Sequence, residues 1–271
     1  MELNNENYYS QEANKEYLSC SQIKDFIKCE NYALAKLNGE WEDEPSKAMA
    51  LSSFVDAIIS DEETKFLDKE LEKVKNGESS FIVLKSGKLS ADAQAMTDVI
   101  KQAENDKMFM KYLKGEHQVI LIGEIGEIPI KAKLDSYFSN KVIVDLKAMK
   151  DFNLIWDEKD KTKKNFIDYY DYVLQAALYQ EIVRQNTEKQ LPFIIAAITK
   201  EKISERALLN IPQEKMDERL HEITPYLTRI QDIKLGKIEP QSCGKCDFCK
   251  SKAKVHNIYN YNEYFEKRGG N

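Results

Sequence analysis

Lys133-Leu134-Asp135 and, beyond a turn at Ser139-Asn140-Lys141, Val142-Ile143-Val144-Asp145-Leu146-Lys147 alternate in polarity and are rich in β-branched residues, which predicts two neighbouring strands. Successive side chains of a strand point to opposite faces. Asp145 and Lys147 therefore share a face, and Leu146 points into the opposite layer. The short turn brings Asp135 alongside, so two carboxylates and one ammonium converge. A solvated hairpin is the commoner origin of such a pattern. Here Asp145 lies between Val142-Ile143-Val144 and Leu146, in a strand that reads as buried. A charge in a buried strand requires a reason, and a site supplies one.

The residue types fit one chemistry. Paired carboxylates are hard oxygen ligands suited to Mg²⁺ or Mn²⁺. Such an ion polarises a phosphoryl oxygen and activates water, and a lysine beside it stabilises developing negative charge. Phosphodiester hydrolysis needs that set.

Outward from these strands, Ser19 to Leu37 has helical spacing, with Gly39 as its stop, and Ser46 to Ile59 forms a second helix after Pro45. Residues 61–78 are charge-rich and partly helical, and Phe81-Ile82-Val83-Leu84 is a strand or a packed loop. Ser90 to Leu113 reads as one helix, with Met108 among its core positions. His117 to Ile122 and Ile128 to Phe138 precede the central strand. Phe166 to Gln185 is a helix, Leu191 to Thr199 a buried strand, 203–211 its partner, and Gln213 to Ile233 a long last helix. This order predicts an α/β fold, a central mixed β-sheet flanked by helices, with helical additions. One domain over 1–271 is expected, with 1–18 loose and 236–271 a cysteine-containing tail.

Composition sets limits. Hydrophobic residues make up 42% of the 271, enough for a sizeable core. No run of eighteen apolar residues exists and the first residues are polar, so no membrane association and a cytoplasmic location are expected. A net charge of −6 speaks against a protein that coats nucleic acid by bulk electrostatics, but not against a local groove. Lys159, Lys161, Lys163 and Lys164 form the densest basic cluster, either a solvated loop or a set of phosphate contacts. Glu124, Glu127 and Lys133 lie near the carboxylates, either as contributors to the site or, more simply, as solvated strand ends. His117, His221 and His256 are scattered without ligand spacing.

The five cysteines are Cys20, Cys29, Cys243, Cys246 and Cys249. An odd count does not suggest a disulfide framework. Cys243, Cys246 and Cys249 form a CxxCxxC run that can wrap one metal centre, with a fourth ligand from elsewhere.

Taken in order, these segments resemble the PD-(D/E)xK nucleases. Asp135 and Asp145-Leu146-Lys147 look like the core motif. Gln175-Ala176-Ala177-Leu178-Tyr179 resembles the QxxxY motif of the RecB-like branch. Ser52-Ser53-Phe54-Val55-Asp56 resembles the segment in which that branch carries a metal-binding histidine, with Asp56 in its place. Ser21 to Glu30 resembles the opening helix that ends in a cysteine, and the three late cysteines match the family's C-terminal set. The likeness spans roughly 19–250 and is similar to phage-encoded exonucleases of the exonuclease VIII type.

The resemblance implies a restriction-endonuclease-like core and a metal-dependent DNA exonuclease acting at duplex ends in recombination or repair. A structure-specific or restriction-like endonuclease and a non-catalytic DNA-binding or assembly module are the alternatives. Asp56, Asp135, Asp145 and the Leu146 carbonyl are implied metal ligands, and Lys147 positions the attacking water. Gln175 and Tyr179, on one helix face, contact DNA or support the site. Cys29 is implied as the fourth cysteine ligand of a [4Fe-4S] cluster, with Zn²⁺ or no metal as alternatives and Cys20 as the other candidate ligand. DNA is the implied partner, with a single-strand annealing protein and further copies of the chain beside it.

Overall fold

A five-stranded sheet forms the centre of the computed structural model, which describes residues 1–255 and 257–262; His256 and residues 263–271 of the expected tail lie outside the described residues. The chain enters through α1 (Gln11–Glu16), α2 (Cys20–Lys28) and α3 (Glu30–Asn38), then α4 (Lys47–Ile59), α5 (Glu63–Lys75), α6 (Ala91–Glu104) and α7 (Lys107–Tyr112). The strands β1 (Glu116–Ile125), β2 (Ile128–Phe138) and β3 (Val142–Met149) follow, then a small hairpin of β4 (Ile155–Asp157) and β5 (Thr162–Lys164). The chain crosses over through α8 (Phe166–Tyr169) and α9 (Tyr172–Thr187) to β6 (Phe193–Thr199) and β7 (Arg206–Asn210). It ends with α10 (Gln213–Lys234) and α11 (Asp247–Lys252).

The sheet order is β1-β2-β3-β6-β7, and β3 and β6 run parallel while the other neighbours are antiparallel. The parallel pair requires the helical crossover between its strands. Alternation along these central strands feeds two cores. Ile143, Ile195 and Ala197 pack against α9 and α10 through Leu174, Ile182 and Leu227. Val144, Leu146, Ala196 and Ile198 pack against α4 and α6 through Phe54 and Val99. This is the mixed sheet flanked by helices that the residue pattern predicts.

Three expected helices are each two. Cys29, in an extended conformation, divides 19–37 into α2 and α3. Asp106 caps α7 by accepting from the Phe109 amide at 3.0 Å, which divides 90–113. Asp171, at φ +50°, caps α9 by accepting from the Leu174 amide at 3.3 Å. Met108, expected in the core, is 59% exposed.

Part of the first eighteen residues packs on the core. Tyr8 is buried, Ser10 caps α1, and α1 packs on α3. Leu18 extends the sheet: its amide donates to the Pro129 carbonyl at 2.9 Å and its carbonyl accepts from the Lys131 amide at 2.8 Å. The segment occupies an edge of β2 that β3 leaves open. The lysine cluster is a hairpin in which Lys161 pairs with Glu158 and Lys164 with Asp157 and Asp160, which favours a solvated surface over phosphate contacts. Among the described residues no helix is long and apolar enough to cross a membrane.

Candidate active site and cysteine centre

The site lies where β2 and β3 part. Their ladder pairs Phe138 with Val142, Tyr137 with Ile143 and Ser136 with Val144, and stops there. One more step in this register would set Asp135 opposite Asp145. Instead the Leu146 amide donates to Asp135 Oδ2 at 3.0 Å, so a carboxylate takes the bond that the next strand carbonyl would have accepted. The opening is a cleft of about 370 Å³ lined by Asp56, Asp135, Asp145, Leu146, Lys147, Gln175 and Tyr179, the residues that the resemblance implies for the metal and for catalysis. Tyr8, Tyr9, Lys24, Lys133 and Tyr172 also line it.

Asp145 is 2% exposed. Gln175 Nε2 donates to its Oδ1 at 2.6 Å, and Lys147 Nζ lies 2.6 Å from Oδ2. That second contact is a close, buried ion pair, and Oδ2 is shielded from solvent. Burial, then the Asp145 and Asp56 charges, raise the Asp135 carboxyl well above the usual range. Burial and the Asp145 charge push Asp56 up to about 7, against the pull of Lys147. Burial alone would lower the Lys147 ammonium, but Asp145 and Asp135 outweigh it and raise it. Lys147 thus stays charged among acids that resist sharing one cleft.

This arrangement fits a divalent cation. Three carboxylates face one cleft, two of them are driven toward protonation by burial and mutual repulsion, and the third is buried against a lysine ammonium. Hard cations favour such oxygen sets, and one here would relieve the repulsion.

Aromatic rings surround the charges. Lys147 lies over the Tyr172 ring at 4.7 Å and Lys24 at 5.2 Å. Lys133 sits over Tyr8 and Tyr9 at 5.7 and 5.4 Å, so it belongs to the cleft and not to a solvated strand end. Beyond Asp56 and Ser52 the cleft continues as a groove lined by Lys150 and Lys200 together with Asp151 and Glu201. Burial lowers the Lys200 ammonium, which has no ion-pair partner among the described residues. Tyr172 was within reach of the sequence, since it precedes Gln175 by three and Tyr179 by seven and so shares their helix face. Tyr8 and Tyr9 carried no local signal. Cys20 is a buried thiol at the cleft, pushed up to about 11 by burial, and stands apart from the other cysteines.

Cys29 joins Cys243, Cys246 and Cys249. Its sulfur lies 3.5 Å from that of Cys249, and those of Cys243 and Cys249 are 3.9 Å apart. Glu30, the residue after Cys29, holds the tail in place. It takes Arg229 Nε and Nη2 at 2.7 and 2.8 Å, the Gln241 amide at 2.8 Å and the Tyr226 hydroxyl at 3.1 Å. Trp41 meets Phe248 edge to face at 5.6 Å beside the cysteines. The stretch from Gln241 to Cys249 therefore packs on the junction of α2 and α3.

Comparison with known proteins agrees with the fold. No curated protein matches the chain. Among solved structures, a crystal structure from Eubacterium rectale described as a "putative exonuclease" is 38% identical, covers 97% of this chain and 98% of its own, and superposes with a TM-score of 0.88. The structure of SSO0001 is 14% identical over 77% of this chain and 85% of its own, with a TM-score of 0.28, a likeness too slight to bear on the site. The family described as a PDDEXK-like domain of unknown function (DUF3799) matches residues 19–252, which hold the whole cleft except Tyr8 and Tyr9, and the chain belongs to that family.

Proposed function

We propose that the chain is a metal-dependent deoxyribonuclease, an exonuclease that hydrolyses phosphodiester bonds at duplex DNA ends. The observation that carries this reading is the convergence of the buried Asp145 with Asp56, Asp135 and Lys147 in one open cleft. Asp56, Asp135, Asp145 and the Leu146 carbonyl hold Mg²⁺ or Mn²⁺. The ion, when bound, supplies Lewis-acid activation of water and of the phosphoryl oxygen. Lys147 orients the attacking water and stabilises charge on the phosphate. Gln175 fixes the Asp145 carboxylate, and Tyr179 packs beneath the site against Phe193 at 6.4 Å between centroids. Lys200 and Lys150 offer the scissile strand its phosphate contacts along the adjoining groove.

The description of the Eubacterium rectale protein and the resemblance to exonuclease VIII-type enzymes support exonucleolytic action in recombination or repair. The exonuclease VIII-type resemblance alone implies a single-strand annealing protein and further copies of the chain as partners. Incubation of end-labelled linear duplex and closed circular DNA with Mg²⁺ or Mn²⁺ tests the reading. Loss of the linear form alone, stopped by chelator, is expected. Cleavage of the circle makes the protein an endonuclease, and an inert protein is a binding module.

A further inference from the structure

We propose that Cys29, Cys243, Cys246 and Cys249 hold a single tetrahedral Zn²⁺, and that this centre is not the [4Fe-4S] cluster that the family resemblance implies. The sulfur spacing separates the two. Four thiolates ~2.3 Å from one ion at the corners of a tetrahedron stand about 3.8 Å apart. Here the separations include 3.5 and 3.9 Å, and all four sulfurs lie within 4.8 Å of one another. In a cubane each cysteine binds a different iron and points outward from it, so sulfurs are separated by an iron–iron edge plus two diverging bonds. Four irons and four sulfides have no room inside the tetrahedron these sulfurs describe.

The backbone is arranged for thiolates around one ion. Cys243 Sγ accepts from the amides of Lys245 at 3.4 Å and Cys246 at 3.3 Å, across a turn that Gly244 makes at φ +69°. Cys29 Sγ accepts from the Cys243 amide at 3.4 Å, and Cys246 Sγ from the Cys249 amide at 3.5 Å. Four thiolates around Zn²⁺ leave a net charge of −2, and these amides offset part of it. On binding, the thiols release their protons to solvent with no change of redox state. The ion joins chain segments 214 residues apart, from Cys29 to Cys243, so its role is to staple the tail to the start of the nuclease core. The inference is independent of the nuclease reading.

Full-length protein purified under nitrogen with reductant is analysed for metal, acid-labile sulfide and visible absorption. One zinc per chain, no sulfide and no visible band are expected. Exchange with Co²⁺ alone should give the intense visible d–d bands of tetrahedral cobalt thiolate. Cys246→Ser should lose the zinc and Cys20→Ser should keep it. Should Cys246→Ser fail to fold, the cobalt spectrum of the wild type decides. Four irons with four sulfides, a single iron, a disulfide among these cysteines, or a folded wild type that takes up no Zn²⁺ or Co²⁺ each overturn the proposal.

Discussion

Replacing Gln175 with leucine removes one contact and little volume. Gln175 Nε2 donates to Asp145 Oδ1 at 2.6 Å, and Asp145 is 2% exposed with its other oxygen against the Lys147 ammonium. The variant leaves a buried carboxylate with only the ion pair to Lys147. A hydrogen bond to a charged group contributes about 1.5–3 kcal/mol, and an orphaned buried acceptor costs a similar amount. In chelator, Gln175→Leu should therefore melt roughly 4–10 °C below wild type, scaling from proteins slightly smaller than this one. The carboxylate also loses its orientation, and loss of such a supporting contact costs about 10–100-fold in metal affinity or activity. Thermal melts with and without Mg²⁺, and metal titration of the cleavage rate, measure both effects. Gln175→Glu sets a second carboxylate against Asp145 and should be worse on both. Wild-type stability and metal dependence in Gln175→Leu would refute the account of how Asp145 is held.

Other outcomes follow from the same contacts. Burial holds the Asp56 carboxyl up at about 7, above its unfolded range near 4, so in chelator the folded state binds the extra proton and stability falls as pH rises from about 4 to 7. Asp56→Asn should flatten that slope and raise the metal-free melting temperature at pH 8, while weakening the response to Mg²⁺; melts in a pH series check this. Burial alone would raise the Glu30 carboxyl, but Arg229, the Gln241 amide and the Tyr226 hydroxyl outweigh it and hold it below the usual range. Its stabilisation is therefore present above the unfolded pKa and lost as pH falls through the folded one. Glu30→Gln should lower the melting temperature at pH 7, with the gap to wild type narrowing below pH ~4; an undiminished gap at low pH would contradict this.

The two-residue period made the Asp135, Asp145 and Lys147 group legible, because alternation alone fixes which side chains share a face. The late cysteine run was legible by spacing, and Cys29 only through family resemblance, since nothing local ties residue 29 to residue 243. The helix breaks at Cys29, Asp106 and Asp171 were hidden within continuous helical periodicity. At two of them an aspartate cap was the available sign. Tyr8 and Tyr9 reach the cleft because Leu18 pairs with β2, a contact that no local pattern encodes. Lys133 looked like a strand end because its partners, two tyrosine rings, come from that same segment.

The central claim is that the cleft between β2 and β3 is a nuclease centre, and Lys147→Ala tests it most directly. Single-turnover digestion of end-labelled linear duplex DNA by folded variant and wild type, at saturating Mg²⁺ or Mn²⁺, should show the rate fall by about 10²–10³-fold, in the range lost when a charge-stabilising group is removed from a reaction centre. DNA binding should stay near the wild-type level. A variant that digests DNA at the wild-type rate, or a wild type that cleaves nothing with either metal, contradicts the assignment.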